Sequence, residues 1–361
     1  MLSRKISSLM TLAARLRKAL KSLYKVTLAI AAITTILLVG CSTKPEVIEL
    51  SGTKMGTTYH IKVVADQLPP EDLHQRIDKL LSVVDNAMST YKPNSELSRF
   101  NRLAVGQNLE ISSDFAQVLQ ISSDIWAKSG GTFDPTVGPL VDLWGFGPNP
   151  SANTAPSADQ ITAALQTIGF QNLVLDGNNL SKTGAVELDL SAVAKGYAVD
   201  LVADMLEMLA LPDYLVEVGG EVRVSGSNPE GEPWRIAIEQ PQLMPSVNRI
   251  ISLNNMAVAT SGDYRNYFEQ QGIRYSHILD SRTGQPIKHN LASVTVLTDS
   301  CAEADAWATA FLVMGAEESL QIAQRLDIAV YLLVKEGDTF KALSSEQFEF
   351  LSQQSTSEAI L

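Results

Sequence analysis

From about residue 172 to residue 345 the chain is a succession of short strand-like segments joined by short turns, and this limits its fold more than any other feature. "NLVLDGNNLSKTGAVELDL" reads as two strands about a turn at Gly177, and "YLVEVGGEVRVSG" as a hairpin about Gly219-Gly220. "WRIAIE", "RIISLNNMAVAT", "YSHILD", "SVTVLT" and "IAVYLLVKEGDTFKAL" read as further strands. Strands follow one another through turns more than they alternate with helices. The expectation is an α+β fold of antiparallel β-sheets flanked by helices, in a single large unit, rather than a doubly wound parallel sheet. No repeat of 20–50 residues is evident.

The first half is richer in helix. "VIELSGTKMGTTYHIKVV" alternates like a strand pair with a turn around Gly52 to Gly56. "PPEDLHQRIDKLLSVVDNAM" and "SSDFAQVLQISSDIWAKSGG" read as amphipathic helices, and Ser157 with Gln160 opens another. Residues 147–157, "GPNPSANTAPS", are the most linker-like stretch. Ser191 is expected to cap a helix through "AVAKGYAVDLVADMLEML", and "ATSGDYRNYF" (259–268) to be a small-residue loop entering a helix.

One helical segment carries an odd residue. "DSCAEADAWATAFLVMG" (299–315) has Ala304, Ala308, Phe311, Leu312 and Gly315 at helical spacing, with Ser300 and Glu303 as a capping box and Gly315 as C-terminal cap. Its small residues let another backbone approach closely. Asp305 lies beyond the first turn, so it is poorly placed to cap its own helix, and it shares a face with Thr309. The plain reading is a hydrogen bond from a neighbouring loop. The chemical reading is a hard-cation site, with carboxylate and hydroxyl offered side by side.

The N-terminus is not core. Seven of the 28 basic residues and none of the 40 acids fall in residues 1–40, and "VTLAIAAITTILLVGC" then runs apolar from Val26 to Cys41. A basic region, a short apolar run and small residues before a cysteine follow the logic of an export signal. "LLVGC" resembles a bacterial lipobox, which implies cleavage before Cys41 and lipid on its thiol. An uncleaved anchor is the alternative, although the run is shorter than the ~20 residues a spanning helix needs. Met10 is an alternative start. The expected organisation is a signal peptide at 1–40, a tether at 41–50 after lipidated Cys41, one large folded unit at 51–350 and a polar tail at 351–361. Without residues 1–40 the formal charge is about −19. Such a surface repels nucleic acid and anionic headgroups, and an anionic ligand needs a local cation, lysine or backbone N–H groups. With Cys41 lipidated, Cys301 is left single and reads as a small buried hydrophobe. The four histidines lack zinc spacing, and there is no G-x-S-x-G, P-loop or G-x-G-x-x-G sequence.

Several segments hold more special residues than packing requires. "GGTFDPTVGPLVDLWGFG" (130–147) sets Asp134 after two glycines and before Pro135, which is also ordinary turn punctuation. In "LDLSAVAKGYAVD" (188–200) a helix N-terminus with Lys195 nearby is a ready anion site, or a plain cap with a solvated lysine. In "YSHILDSRTGQPI" (275–287) His277 and Leu279 are expected on one face of a strand. Tyr91, in "MSTYKPNSELSRFN", suits stacking on a flat ring or covering the core edge.

Individually weak, these segments are together specific. In order and wording, "GTKMGTTY", "GGTFDPTVGPLVDLWGFG", "LDLSAVAKGYAVD", "HILDSRTGQPI" and "ADAWATA" resemble the ApbE family of flavin transferases over essentially the whole chain after the signal. The resemblance implies a T-fold-related α+β unit that binds FAD through Met55, Tyr91, Thr132, Phe133, Asp134, Asp189, Lys195 and Leu279. It implies Mg²⁺ held by Asp305 and Thr309 and by the carbonyls of Ala192 and Ala308. It further implies transfer of FMN from FAD to a threonine of an acceptor protein, with release of AMP. His277 is the candidate proton acceptor, since an imidazole of pKa ~6.5 suits that task. By the same resemblance the acceptor is a membrane redox subunit, as in Na⁺-translocating NADH:quinone reductase or Rnf complexes, and no nucleic acid partner is expected. The same pocket run with water would be an FAD pyrophosphatase, and without turnover a lipid-anchored flavin-binding protein. The expected location is the periplasmic side of the inner membrane, with the outer membrane left open by Ser42 after Cys41.

Overall fold

The computed structural model describes residues 46–357, apart from 66, 148–153, 242–245 and 264–266, together with residues 17, 18, 21 and 24. The chain divides into Met1–Lys44 and Pro45–Leu361, and the elements below belong to the second unit. Cys41 and most of the 147–157 loop lie outside the described residues.

The unit opens with a hairpin, β1 (Glu46–Lys54) and β2 (Thr57–Ala65). The helices α1 (Leu73–Met88), α2 (Glu96–Asn101), α3 (Ser113–Lys128), α4 (Gly138–Leu143) and α5 (Ala158–Leu165) follow. A small sheet of β3 (Asn108–Glu110), β4 (Leu173–Asp176) and β5 (Asn179–Lys182) sits among them in sequence. Next come α6 (Ala194–Met208), the hairpin β6 (Asp213–Val218) and β7 (Glu221–Ser225), the pair β8 (Trp234–Glu239) and β9 (Val247–Leu253), and β10 (Met256–Gly262). Two short hairpins, β11 (Tyr267–Gln270) with β12 (Ile273–Ser276) and β13 (Leu279–Asp280) with β14 (Gln285–Pro286), precede β15 (Leu291–Thr298). The chain ends with α7 (Cys301–Met314), α8 (Ala316–Leu326), the hairpin β16 (Ala329–Glu336) and β17 (Thr339–Ser344), and α9 (Glu346–Ser357).

Eight strands form one sheet in the order β1-β2-β6-β7-β10-β15-β16-β17, antiparallel at every step. This is the α+β architecture read from the turns. Both faces are covered. Tyr59, Ile61 and Val63, with Val216, Ala259, Val294 and Leu332, pack against helices bearing Leu81, Phe115, Tyr197 and Phe311. Val222, Val224, Val258 and Leu333 pack on the other side with Trp234, Ile251 and Phe348 of β8, β9 and α9. Two covered faces explain why β15 and β16 read as nearly continuous apolar runs although their sheet is antiparallel. α7 is apolar all round because it is buried all round: of its side chains only those of Glu303 and Thr309 reach solvent appreciably. Among the described residues no helix is long and apolar enough to cross a membrane.

Five local readings are corrected. β1 begins at Glu46, inside the stretch assigned to the tether, because residues 46–54 pair with β2 along their whole length. The β1–β2 turn is Met55-Gly56, both at positive φ, rather than a looser turn from Gly52. The 259–268 segment enters no helix. Ala259–Gly262 ends β10, paired with β15, and Tyr267–Gln270 is β11, with Tyr267 exposed and Phe268 buried in the period-two pattern of a strand. α6 starts at Ala194 with Val193 as its N-cap, so Ser191 does not cap it; the Ser191 N–H instead donates to Asp189 Oδ1 at 2.8 Å. The tail from 351 stays helical to Ser357.

Candidate active site

A cavity of about 450 Å³ opens at the end of the sheet where β6 turns into β7 and β10 ends. Its floor is built by a reciprocal arrangement of α6 and α7. Asp200 of α6 accepts from the N–H groups of Cys301 (2.9 Å) and Ala302 (3.0 Å) and from Ser300 Oγ (2.8 Å), which satisfies the free amides at the start of α7. Asp305 of α7 accepts from the Gly196 N–H at 3.2 Å, which does the same for the start of α6. Asp305 thus takes a hydrogen bond from a neighbouring element, as the plain reading has it, but that element is the first turn of a helix and not a loop. The two helices approach so closely that a Cβ on Gly196 would come within 2.2 Å of the Cys301 carbonyl oxygen.

Asp305 also faces the cavity. It is 3% exposed, and its Oδ2 lies 3.6 Å from Lys195 Nζ. Lys195 is in the first turn of α6 and donates to the Ser191 carbonyl at 3.2 Å. On its other side, 3.5 Å away, is Glu221 Oε1. Burial alone would depress the Lys195 ammonium pKa, but the carboxylates of Asp305 and Glu221 outweigh it and hold it above its ordinary value. Burial raises the pKa of both carboxyls, because one ammonium shared by two carboxylates compensates neither fully. The net charge of the three groups, all ionised, is −1.

The walls come from four loops. Thr132, Phe133 and Asp134 line one side. The Asp134 carboxylate is already engaged by the protein: Oδ1 accepts from Thr136 N–H (2.8 Å) and Thr136 Oγ1 (2.6 Å) of its own loop, and Oδ2 from Phe170 N–H (3.3 Å) of the segment before β4. Asp189 and Ala192 come from the segment before α6. His277 and Leu279 come from the β12–β13 connection, where the strand expected through "YSHILD" breaks between Ser276 and Leu279. The His277 ring meets Phe146 edge-on, with centroids 6.3 Å apart. Ser281 Oγ donates to the Gly131 carbonyl and Trp144 Nε1 to the Gly284 carbonyl at 2.9 Å, which ties the 279–286 hairpin to the 131–146 loop. Tyr91 stands 75% exposed at the mouth. A second, polar recess of about 430 Å³ shares Thr90, Tyr91, Val141 and Asp189 with the first. Both volumes fall in the range of about 300–1,000 Å³ usual for small-molecule sites.

Of the residues singled out in the sequence, the cavity thus gathers Tyr91, Thr132, Phe133, Asp134, Asp189, Ala192, Lys195, His277, Leu279, Asp305 and Thr309. Met55 and Ala308 do not line it. Met55 is in the β1–β2 turn, two residues from Thr57, and Thr57 neighbours Gly219 and Lys195 at the rim. Ala308 is wholly buried within α7. The lining also includes polar residues that the sequence does not single out as site residues, among them Glu221, Thr260 and Ser261, the last sharing a 3.1 Å hydrogen bond with Thr309 Oγ1. The signal for Glu221 was present, an acidic residue directly after Gly-Gly, but a hairpin turn accounts for that wording equally well.

The donors fit a hard cation. Asp305 and Thr309 present only oxygen, and Mg²⁺ is commonly held by one or two carboxylates together with substrate phosphates. Among the described residues no group of three or more His, Cys, Asp or Glu side chains forms a metal cluster.

The ApbE family model matches residues 55–332, a span that includes every wall of this cavity. The chain belongs to the ApbE family. Within the ApbE family, the FAD:protein FMN transferase of Vibrio cholerae is 44% identical over 329 residues, covering 90% of this chain and 98% of the relative. The FAD:protein FMN transferase of Haemophilus influenzae is 43% identical, covering 88% and 94%. The crystal structure of the Pseudomonas stutzeri flavinyl transferase ApbE in apo form matches with a TM-score of 0.81 at 42% identity, over 86% of this chain and 98% of that one.

Proposed function

We propose that this chain transfers the FMN moiety of FAD to a threonine hydroxyl of an acceptor flavoprotein, leaving a phosphoester-linked FMN and releasing AMP. The observation that carries this reading is Lys195 held between Asp305 and Glu221 at the floor of a cavity that His277 also lines, in a member of the ApbE family. The threonine oxygen bonds to the FMN phosphorus as the bond from that phosphorus to the bridging oxygen breaks, and AMP carries the bridging oxygen away. His277 takes the hydroxyl proton. Lys195 meets the charge of the pyrophosphate. Asp305 and Thr309, with the carbonyl of Ala192, would hold Mg²⁺; Ala308, buried within α7, does not line the cavity. A bound Mg²⁺ supplies neutralisation of the phosphate oxygens, which a surface near −19 otherwise repels. Phe133, Tyr91 and Leu279 offer apolar surface to the flavin. The 132–134 backbone and Asp189 orient it, because the Asp134 side chain is already engaged.

The acceptor is proposed to be a membrane redox subunit, and the chain to be anchored through lipid on Cys41 at the periplasmic side of the inner membrane. Incubation of the purified chain with FAD and Mg²⁺, with and without a threonine-bearing acceptor, tests the activity. AMP formed only with acceptor is the expected result. AMP formed without acceptor means hydrolysis, and no AMP in either overturns catalysis.

A further inference from the structure

We propose that Glu221 is a positioning residue whose carboxylate holds the Lys195 ammonium over the cavity once Asp305 is engaged by a cation; this rests on the function proposed above. Glu221 is 4% exposed and lines the cavity, and its Oε1 is 3.5 Å from Lys195 Nζ. Its Oε2 is buried without a hydrogen-bond partner. The turn that precedes it is shaped for this approach. Gly219 has φ +63°, and a Cβ there would lie 2.9 Å from Thr57 Cγ2 and 3.1 Å from Lys195 Cδ, so no side chain fits beside the lysine stem.

A cation on Asp305 removes one of the two anionic partners of Lys195 and adds a like charge close by. The Ser191 carbonyl, 3.2 Å from Nζ, is neutral and does not replace the lost charge. Glu221 does, and its unpartnered Oε2 offers a second acceptor to an ammonium that carries three N–H donors. Lys195 then stays where a phosphate enters instead of turning to solvent. Glu221 acts through Lys195 and touches neither cation nor substrate.

A double-mutant cycle of Lys195→Met with Glu221→Ala and Glu221→Gln tests this in the whole chain. FAD affinity is read by flavin fluorescence in Mg²⁺, Mn²⁺ affinity without FAD by paramagnetic resonance, and the thermal midpoint without any ligand. Glu221→Ala is expected to weaken FAD binding roughly tenfold in the native background and to have no further effect beside Lys195→Met, with Glu221→Gln between the two. Mn²⁺ affinity should be unchanged. In the ligand-free protein Glu221→Gln should lower the midpoint of the native chain yet raise that of Lys195→Met, where two buried carboxylates have lost their counter-charge. An equal loss of FAD affinity in both backgrounds, or a fall in Mn²⁺ affinity, overturns the inference. A native chain that takes up no FAD overturns the proposed function instead. The thermal cycle still reads the Glu221–Lys195 coupling in that case, and additive midpoints there overturn the inference by themselves.

Discussion

At the scale of single residues, Asp305 has two tasks that substitution can separate. Its Oδ2 accepts the Gly196 N–H, a bond that an Asn oxygen can also accept, while only a carboxylate supplies charge to a cation. Asp305→Asn is therefore expected to stay folded and to lose Mg²⁺-dependent AMP release. It should also lack the rise in thermal midpoint expected of the native chain with Mg²⁺ and FAD, because a ligand stabilises only what it binds. A folded variant with native Mg²⁺ dependence would leave Asp305 as a cap alone. His277→Ala should bind FAD with native affinity, by equilibrium titration, and transfer FMN about 10²–10⁴-fold more slowly in single-turnover assays. An unchanged rate would make His277 a wall residue. Asp305 was legible because a carboxylate past the first turn of an apolar helix has no local explanation. Glu221 was not, because nothing in "VGGEVRVSG" separates a turn acid in water from one folded inward. The difference lies in the strand's register against β6 and β10, which is a tertiary fact.

At the scale of elements, the site depends on how closely α6 and α7 approach. Gly196→Ala places a methyl group 2.2 Å from the Cys301 carbonyl oxygen and 2.8 Å from Ala302 Cα, both backbone atoms that cannot rotate away. Overpacking of this kind typically costs about 1–3 kcal/mol, and at about 2–4 °C per kcal/mol for larger domains the midpoint should fall by several degrees. Mg²⁺-dependent activity should fall further than stability, since the same methyl pushes Asp305 away from the Gly196 N–H. Calorimetry and AMP release on one preparation check both. Helices with their own caps were legible: Ser157 and Gln160 form the full capping box, and Ser300 accepts from the Glu303 N–H. The start of α6 differs from the expectation because a side chain more than a hundred residues away, Asp305, accepts the Gly196 N–H in its first turn, where a local serine cap is expected. The turn into β11 was misread because Ser, Gly and Asp before an aromatic run suit a helix start as well as a strand end.

At the scale of the whole molecule, the first described strand of the second unit begins at Glu46, five residues after Cys41 in sequence. Cys41→Ser is accordingly expected to keep full activity in solution while abolishing lipid attachment, which mass spectrometry of the N-terminus reads directly. An intact, unmodified Met1 in the native chain would refute the anchor. The antiparallel α+β class was legible from turn spacing, but the strand order was not, because β2 pairs with β6 only after six helices and a small sheet have intervened. That pairing governs how the molecule comes into being. Tyr59 must wait for Val218, and a hairpin of two strands is marginal by itself in water. Closing so long a loop costs entropy before any contact compensates it, so refolding from denaturant should take milliseconds to seconds or longer, measurable by stopped-flow fluorescence of the tryptophans. Until residues 213–218 have been made, Ile61 and Val63 have a partner strand on one side only, β1, and the sheet cannot close beyond them. A sheet that cannot close before residue 218 is made leaves its first strands open through that much of synthesis, which suits the export proposed above.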